Sequence, residues 1–293
     1  SNRENVDLKN FIIENEIGAT IIKKPNSING EQFIVQNCQN SNIFVFDHIS
    51  AVTVDECTDC TFFFGPTKGR CLQVFLYCMT MPTIESTYDI KFACFAFFYH
   101  ELNEQFKEAG LSVFNNHWYR IFDFNQSEDE MHWSLFTVDV RPEDYFPNLT
   151  SVDEMEISMD SVVSVVPKTL GSKLDKNDQT CLVIFFSDGN REKRAKAFIK
   201  EMEHKSCSLV RTKEFSMKEH EAQNVFGTDS YNSVIIRGPV IALEYSGALA
   251  SKKCSDVAKS IALETGSTGL VYVSTNPNTV LRQVQLIFGA ANA

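Results

Sequence analysis

The residues best equipped for chemistry in this chain fall into three short groups, and each stops short of a complete site. Cys57 and Cys60 have the spacing of half a zinc site. The other half is missing: Cys71 and Cys78 stand too far apart and no His-x3–5-His pair follows, so no metal is expected. Gly65-Pro66-Thr67-Lys68-Gly69-Arg70 sets glycines beside cations, as a phosphate cradle does, but lacks the G-x-x-x-x-G-K spacing of a P-loop. His48 follows Asp47, yet no nucleophile is placed beside the pair and no G-x-S-x-G occurs, so it reads as a structural histidine. His204 and His220 lie in charged helical stretches outside any Asn-x-x-His-Gly/Ser context and read as solvated. Intrinsic catalysis, phosphotransfer included, is disfavoured, and no cofactor of the chain's own is expected.

The element that must position these residues is a repeat. Ala51–Pro66 lies over Gln32–Asp47 at an offset of nineteen residues: Val35 over Val54, Cys38 over Cys57, Ser41 over Cys60, Ile43 over Phe62 and Phe44 over Phe63. A fixed period of alternating β segments and small polar turns means coils that stack and bury a shared apolar column. Cys38 and Cys57 then face inward as small apolar residues, with Cα atoms about 4.8 Å apart. The next copy, Thr83–Phe92, follows Thr53–Phe62 by thirty residues rather than nineteen or thirty-eight, so the register breaks between Gly69 and Leu72.

Composition narrows the class further. The 293 residues, 43% of them apolar, suffice for two cores, and 24 Phe against 2 Trp suit aromatic ladders on stacked coils. A net charge of −11 argues against a nucleic-acid partner, which needs clustered Lys and Arg. Nine cysteines without a secretory context read as reduced thiols, and Asn148-Leu149-Thr150 as a chance sequon. No apolar run reaches the length of a membrane span.

Along the chain, β alternation runs from about Gly30 to Phe98, and His100–Gly110 reads as one helix carrying Leu102, Phe106 and Ala109 on a single face. Residues 138–178, acidic and punctuated by proline, read as a linker or strap. Strands then alternate with helices, which suggests a ferredoxin-like α+β sandwich. The expected organisation is a β-coil domain over 1–137, the linker over 138–178 and the α+β domain over 179–293.

Together with the repeat, the segments Phe33–His48, Cys57–Gly69, Met81–Phe95, Phe106–Trp118 and Arg237–Tyr245 resemble the tubulin-folding cofactor C domain family over about Ile21 to Val273. The resemblance implies a right-handed parallel β-helix followed by a ferredoxin-like domain similar to nucleoside diphosphate kinase. It implies GTPase activation toward an Arf-like small GTPase of the ARL3 type in its GTP state. That activity serves release of lipidated cargo at the plasma or ciliary membrane, with GTP and Mg bound by the partner and an N-terminal acyl anchor on the activator. The implied mechanism is an arginine finger that neutralises charge on the transferring phosphoryl group.

In the family the finger follows the GPxKG stretch in a Gln-x-Arg motif. Here Gly65–Gly69 leads almost directly to Leu72–Leu76, so about one coil and a fraction, roughly 25 residues, is absent where the register breaks. Arg70 is the arginine left at the junction: a displaced finger, or, as favoured here, a surface residue. Gly69 matches a position beside the partner's nucleotide and equally suits a turn glycine. Glu85 matches a carboxylate that supports the finger, and without one it is equally a solvated rim charge. Phe124, with Asp123 beside it, matches an aromatic that packs on the GTPase, against the general tendency of aromatics to lie in cores. Asn115 and Asn116 read as turn or coil-capping amides. Two functions from different classes stay open: activator, or binding scaffold without activating power.

Overall fold

Stacked strands realise the nineteen-residue repeat. The computed structural model describes residues 8–67, 75–85, 89–95, 97–127, 130–136, 151–152, 155–158, 165–227, 238–274 and 276–289. A 3-10 turn, Leu8–Phe11, leads into β1 (Ile12–Glu14), β2 (Thr20–Lys23), β3 (Gln32–Gln36), β4 (Asn42–Val45), β5 (Ala51–Asp55) and β6 (Thr61–Thr67). β1, β3 and β5 form one parallel sheet, while β2, β4 and β6 run parallel in a second. Gln32 pairs with Ala51 and Asn42 with Thr61, both nineteen residues on. The first coil is longer, pairing Ile12 with Ile34, because residues 24–31 outnumber their counterparts 46–50 by three.

The corners explain why the turns are polar. Asn15, Asn37 and Glu56 occupy one corner column at φ 60, 52 and 49, and Gly18, Asn40 and Asp59 the next at φ 62, 47 and 52. The left-handed region costs most side chains roughly 1–2 kcal/mol, and Gly, Asn and Asp least. Asn37 also donates its amide to Asn15 Oδ1 at 2.6 Å, so the column is linked by side chains. From Asn37 onward each of these corners has a small donor that caps a carbonyl two residues back. Ser41 Oγ reaches Gln39 O at 2.9 Å and Cys60 Sγ reaches Thr58 O at 3.3 Å. Cys38 and Cys57 repeat the pattern on Gln36 O and Asp55 O.

Between the sheets lies the first core, with Phe33, Val35, Val52 and Val54 from one side and Ile43, Val45, Phe62 and Phe64 from the other. Cys38 is fully buried. Cys57, expected to face inward above it, is only half-buried, because β5 is the last strand of its sheet among the described residues. Burial still pushes the Cys57 thiol up to about 11, which leaves it protonated and a poor nucleophile.

The second sheet continues through β7 (Phe75–Cys78), β9 (Ile90–Cys94) and β11 (Trp133–Leu135). Its outer face holds a ladder of rings: Phe44 on Phe63 at 5.1 Å, Phe63 on Phe75 at 4.5 Å and Phe75 on Phe136 at 5.6 Å. Phe97 meets Phe63 edge-on, and Phe106 on α1 (Leu102–Glu108) covers Tyr77. Covered on both faces, these strands read as nearly continuous apolar runs.

The register breaks after β6. Phe63 pairs with Phe75 at an offset of twelve, and Phe75 with Ala93 at eighteen, which together give the thirty found in the sequence. Seven residues, 68–74, separate Thr67 from Phe75, whereas fifteen, 46–60, separate Val45 from Thr61 and include β5. The shorter connection is too brief to repeat that traverse. Accordingly β8 (Thr83–Ile84), expected as the next copy of β5, pairs instead with β10 (Phe122–Asp123).

The chain divides into two units between Lys168 and Thr169, inside the span expected as a linker. Residues on either side of that division belong to different units. Ser158 pairs with Phe98, and Cys94 Sγ bonds Pro167 O, while Leu170 and Gly171 donate their N–H groups to Leu209 and Val210. A hairpin of β12 (Ser151–Val152) and β13 (Met155–Glu156) precedes the division.

The second unit runs β14 (Gln179–Phe185), α2 (Arg191–Met202), β15 (Ser208–Ser216), α3 (Glu219–Phe226), β16 (Pro239–Gly247), α4 (Ala250–Thr265), β17 (Val271–Val273) and α5 (Pro277–Phe288). Its sheet order is β15-β16-β14-β17 with every neighbour antiparallel, the split βαβ arrangement of a ferredoxin-like fold. One face packs Leu182, Ile184, Val240 and Ala242 against Val280, Val284 and Ile287 of α5.

Candidate functional site

Three of the expected site residues, Glu85, Asp123 and Phe124, lie at the short pair β8 and β10. Thr83 lies opposite Phe122 and Ile84 opposite Asp123. Phe122 N donates to Pro82 O at 2.8 Å and Phe124 N to Ile84 O at 3.0 Å. Glu85 and Phe124 therefore stand side by side just past the ladder, on adjacent strands, although thirty-nine positions apart in sequence. Glu85 is exposed.

Alternation along the strand sorts its side chains. Asp123 points in and is 7% exposed, whereas Phe122 and Phe124 are 44% and 54% exposed. Their rings meet edge-on at 4.9 Å. Two further large apolar side chains of this region, Met81 and Met131, are also exposed. Rings of this size in water, gathered rather than scattered, make this the candidate docking face.

Beneath them the Asp123 carboxylate accepts from Asn125 N at 2.8 Å and faces His132 Nδ1 at 2.7 Å. An ionised carboxylate only accepts, so Nδ1 is the donor. His132 is itself buried, with Glu130 Oε2 3.5 Å from Nε2. Asp123, expected as a partner-facing residue, thus spends its carboxylate inside the protein and cannot meet a partner directly. Asn116, expected to cap a coil, is buried: its Oδ1 accepts from Cys78 N at 2.9 Å and its Nδ2 donates to Leu76 O at 3.2 Å.

Gly69 and Arg70 lie outside the described residues. Among the described residues no cluster of His, Cys, Asp or Glu could hold a metal, and no helix is long and apolar enough to cross a membrane. His204 and His220 are exposed on the second unit. His48 sits at the edge of the coils with Nδ1 3.3 Å from Asp47 Oδ1. Asp47 is fully buried and accepts from Ile28 N, Asn29 N and His48 N. It braces the third side of the coil.

Sequence reasoning named Glu85, Asp123 and Phe124 but neither Phe122 nor His132, which stand beside them. The alternation Ile121-Phe122-Asp123-Phe124 carried the signal for Phe122, because both phenylalanines must share a face. Nothing local marks His132, whose partner is nine positions upstream.

Comparison with known proteins finds a family model, and relatives matched over nearly the whole chain. The sequence model described as Tubulin binding cofactor C matches in two pieces, residues 30–72 and 68–124, which meet at the break in register. Protein XRP2 from Xenopus laevis is 37% identical over 319 aligned positions, covering 99% of this chain and 89% of that protein. Protein XRP2 from Homo sapiens is 36% identical, covering 99% and 90%, and that from Mus musculus 38%, covering 86% and 81%. As 99% of 293 residues is about 290, roughly 29 of the 319 positions have no counterpart here. Of solved structures, an Aquifex aeolicus nucleoside diphosphate kinase is 14% identical, covering 37% of this chain and 94% of that one, at a TM-score of 0.32, too slight a likeness to argue from.

Proposed function

The chain belongs to the XRP2 family, and from that premise we propose that it docks an Arf-like small GTPase of the ARL3 type, in its GTP state, on the Phe122–Phe124 face. Membership, with the tubulin binding cofactor C domain, fits a GTPase-activating role in general. The observation that carries the finer reading is the juxtaposition of exposed Phe124 with Glu85 on neighbouring strands. An apolar pair beside a carboxylate offers a partner both buried area and a polar anchor. In this reading the coils are the right-handed parallel β-helix that the family resemblance implies. GTP and its Mg belong to the partner, and the chain works at the cytoplasmic face of the plasma or ciliary membrane, held by an N-terminal acyl anchor, in trafficking of lipidated cargo.

Whether docking also accelerates hydrolysis depends on an arginine reaching the γ-phosphate. The short connection at 68–74 and the split family match favour a second reading, a scaffold that grips the GTPase without activating it. An arginine finger is worth about 10³–10⁵ in rate. Single-turnover GTP hydrolysis at saturating protein separates the two, run beside Arg70→Ala. Acceleration of that order, lost on substitution, makes Arg70 a relocated finger; hydrolysis at the partner's basal rate makes the chain a scaffold.

A further inference from the structure

We propose that His132 is the positioning residue of the docking face, acting through Asp123 to hold Phe122 and Phe124 outward; this rests on the docking reading above. β10 is two residues long and is tied to β8 by main-chain bonds at Phe122 and Phe124. So little pairing cannot by itself fix two exposed rings, since isolated two-stranded pairs are marginal in water. The rings also have an apolar interior to turn toward, so the outward arrangement needs a counterweight on the other side of the strand.

Asp123 supplies it. Its side chain is 2% exposed and that of His132 5%. A carboxylate so enclosed must be held by donors, and it has two: the Asn125 N–H and the His132 Nδ1–H. If β10 rotated to bury Phe122 or Phe124, Asp123 would have to swing out and leave the His132 Nδ1–H, whereas its bond to Asn125 N, two residues on in the same segment, could turn with it. The histidine end is anchored independently. His132 O accepts from Ile90 N at 3.2 Å, and the next residue begins β11, which pairs with β9 from Trp133 to Leu135. The clamp thus ties a two-residue strand to the six-stranded sheet. A buried His–Asp pair with no functional role would be equally at home anywhere in the core. This one lies directly behind the two rings.

The test is anisotropy titration of the full chain with an Arf-like GTPase loaded with a non-hydrolysable GTP analogue. The variants are His132→Ala, His132→Asn and Phe124→Ala. Asparagine carries an N–H donor close to the place of Nδ1, whereas alanine has none. The expected result is about tenfold weaker binding for His132→Ala and recovery to within about threefold for His132→Asn. Melting each variant beforehand sets a temperature at which all are folded, so that loss of fold is not read as loss of binding. Wild-type affinity for His132→Ala with Phe124→Ala weakened overturns the positioning role and leaves the docking reading intact. Equal weakening by alanine and asparagine also overturns it, since the donor at Nδ1 then plays no part. Unchanged binding by Phe124→Ala overturns the docking reading itself.

Discussion

Up to Thr67 each coil alternates a strand of the first sheet with a strand of the second, at a period of nineteen or twenty-two. From Phe75 onward the second sheet goes on alone, at twelve and then eighteen, while β8 leaves the first sheet to pair with β10. The regular stretch buries nearly every large side chain, and its positive-φ corners are Asn, Asp and Gly with Glu56 as the exception. The irregular stretch exposes Phe122, Phe124, Met81 and Met131. Repetition builds a rigid support because each coil satisfies the last, and the exposed rings of Phe122 and Phe124 gather where that pattern stops.

The comparison breaks most severely at Phe63, which belongs to the regular part yet stacks on Phe75 of the irregular part. Phe63→Ala should cost about 3–5 kcal/mol through the cavity it leaves. Thermal unfolding should show a clear fall in midpoint for the first unit, and a fall of under a degree would mean the two stretches do not share a core. Asp47→Ala should cost about 2–3 kcal/mol, since it orphans the N–H groups of Ile28, Asn29 and His48 inside the coil. Denaturant titration reads that difference directly.

Smaller effects sharpen the rule for the corners. Glu56 is the misfit in a column otherwise made of asparagines, so Glu56→Asn should stabilise by about 0.5–1 kcal/mol and extend the Asn15–Asn37 link. The Cys57 thiol, pushed up to about 11 by burial, stays protonated at pH 8. Alkylation of the folded protein should therefore be slow there and quicken only as the pH approaches 11. Fast labelling at pH 8 would show that the cysteine column is open.

The nineteen-residue offset was legible because stacking places like residues over like, so Val35 and Val54, or Ser41 and Cys60, betray the coil in the text. The break at Gly69–Leu72 was legible for the same reason. The first coil's extra three residues hid it from the repeat, and the pairing of β8 with β10 joins segments thirty-nine positions apart by only two residues each. Helix α5 was legible too, with Asn276 as cap, Pro277 at the start and Val280, Val284 and Ile287 on one face. At the site, the family resemblance pointed to Glu85, Asp123 and Phe124, but burial of the Asp123 carboxylate depends on His132, which no local pattern marks.

The central claim is that the irregular end of the coils is a face for the GTP form of a small GTPase. Isothermal titration with an Arf-like GTPase in each nucleotide state, against the wild-type chain and Phe124→Ala, tests it most directly. The account predicts saturable binding of the GTP-analogue form, at least about tenfold weaker for the GDP form, and a comparable loss on Phe124→Ala, or roughly 1.4 kcal/mol each. Equal affinity for the two nucleotide states, or binding indifferent to Phe124, would contradict it.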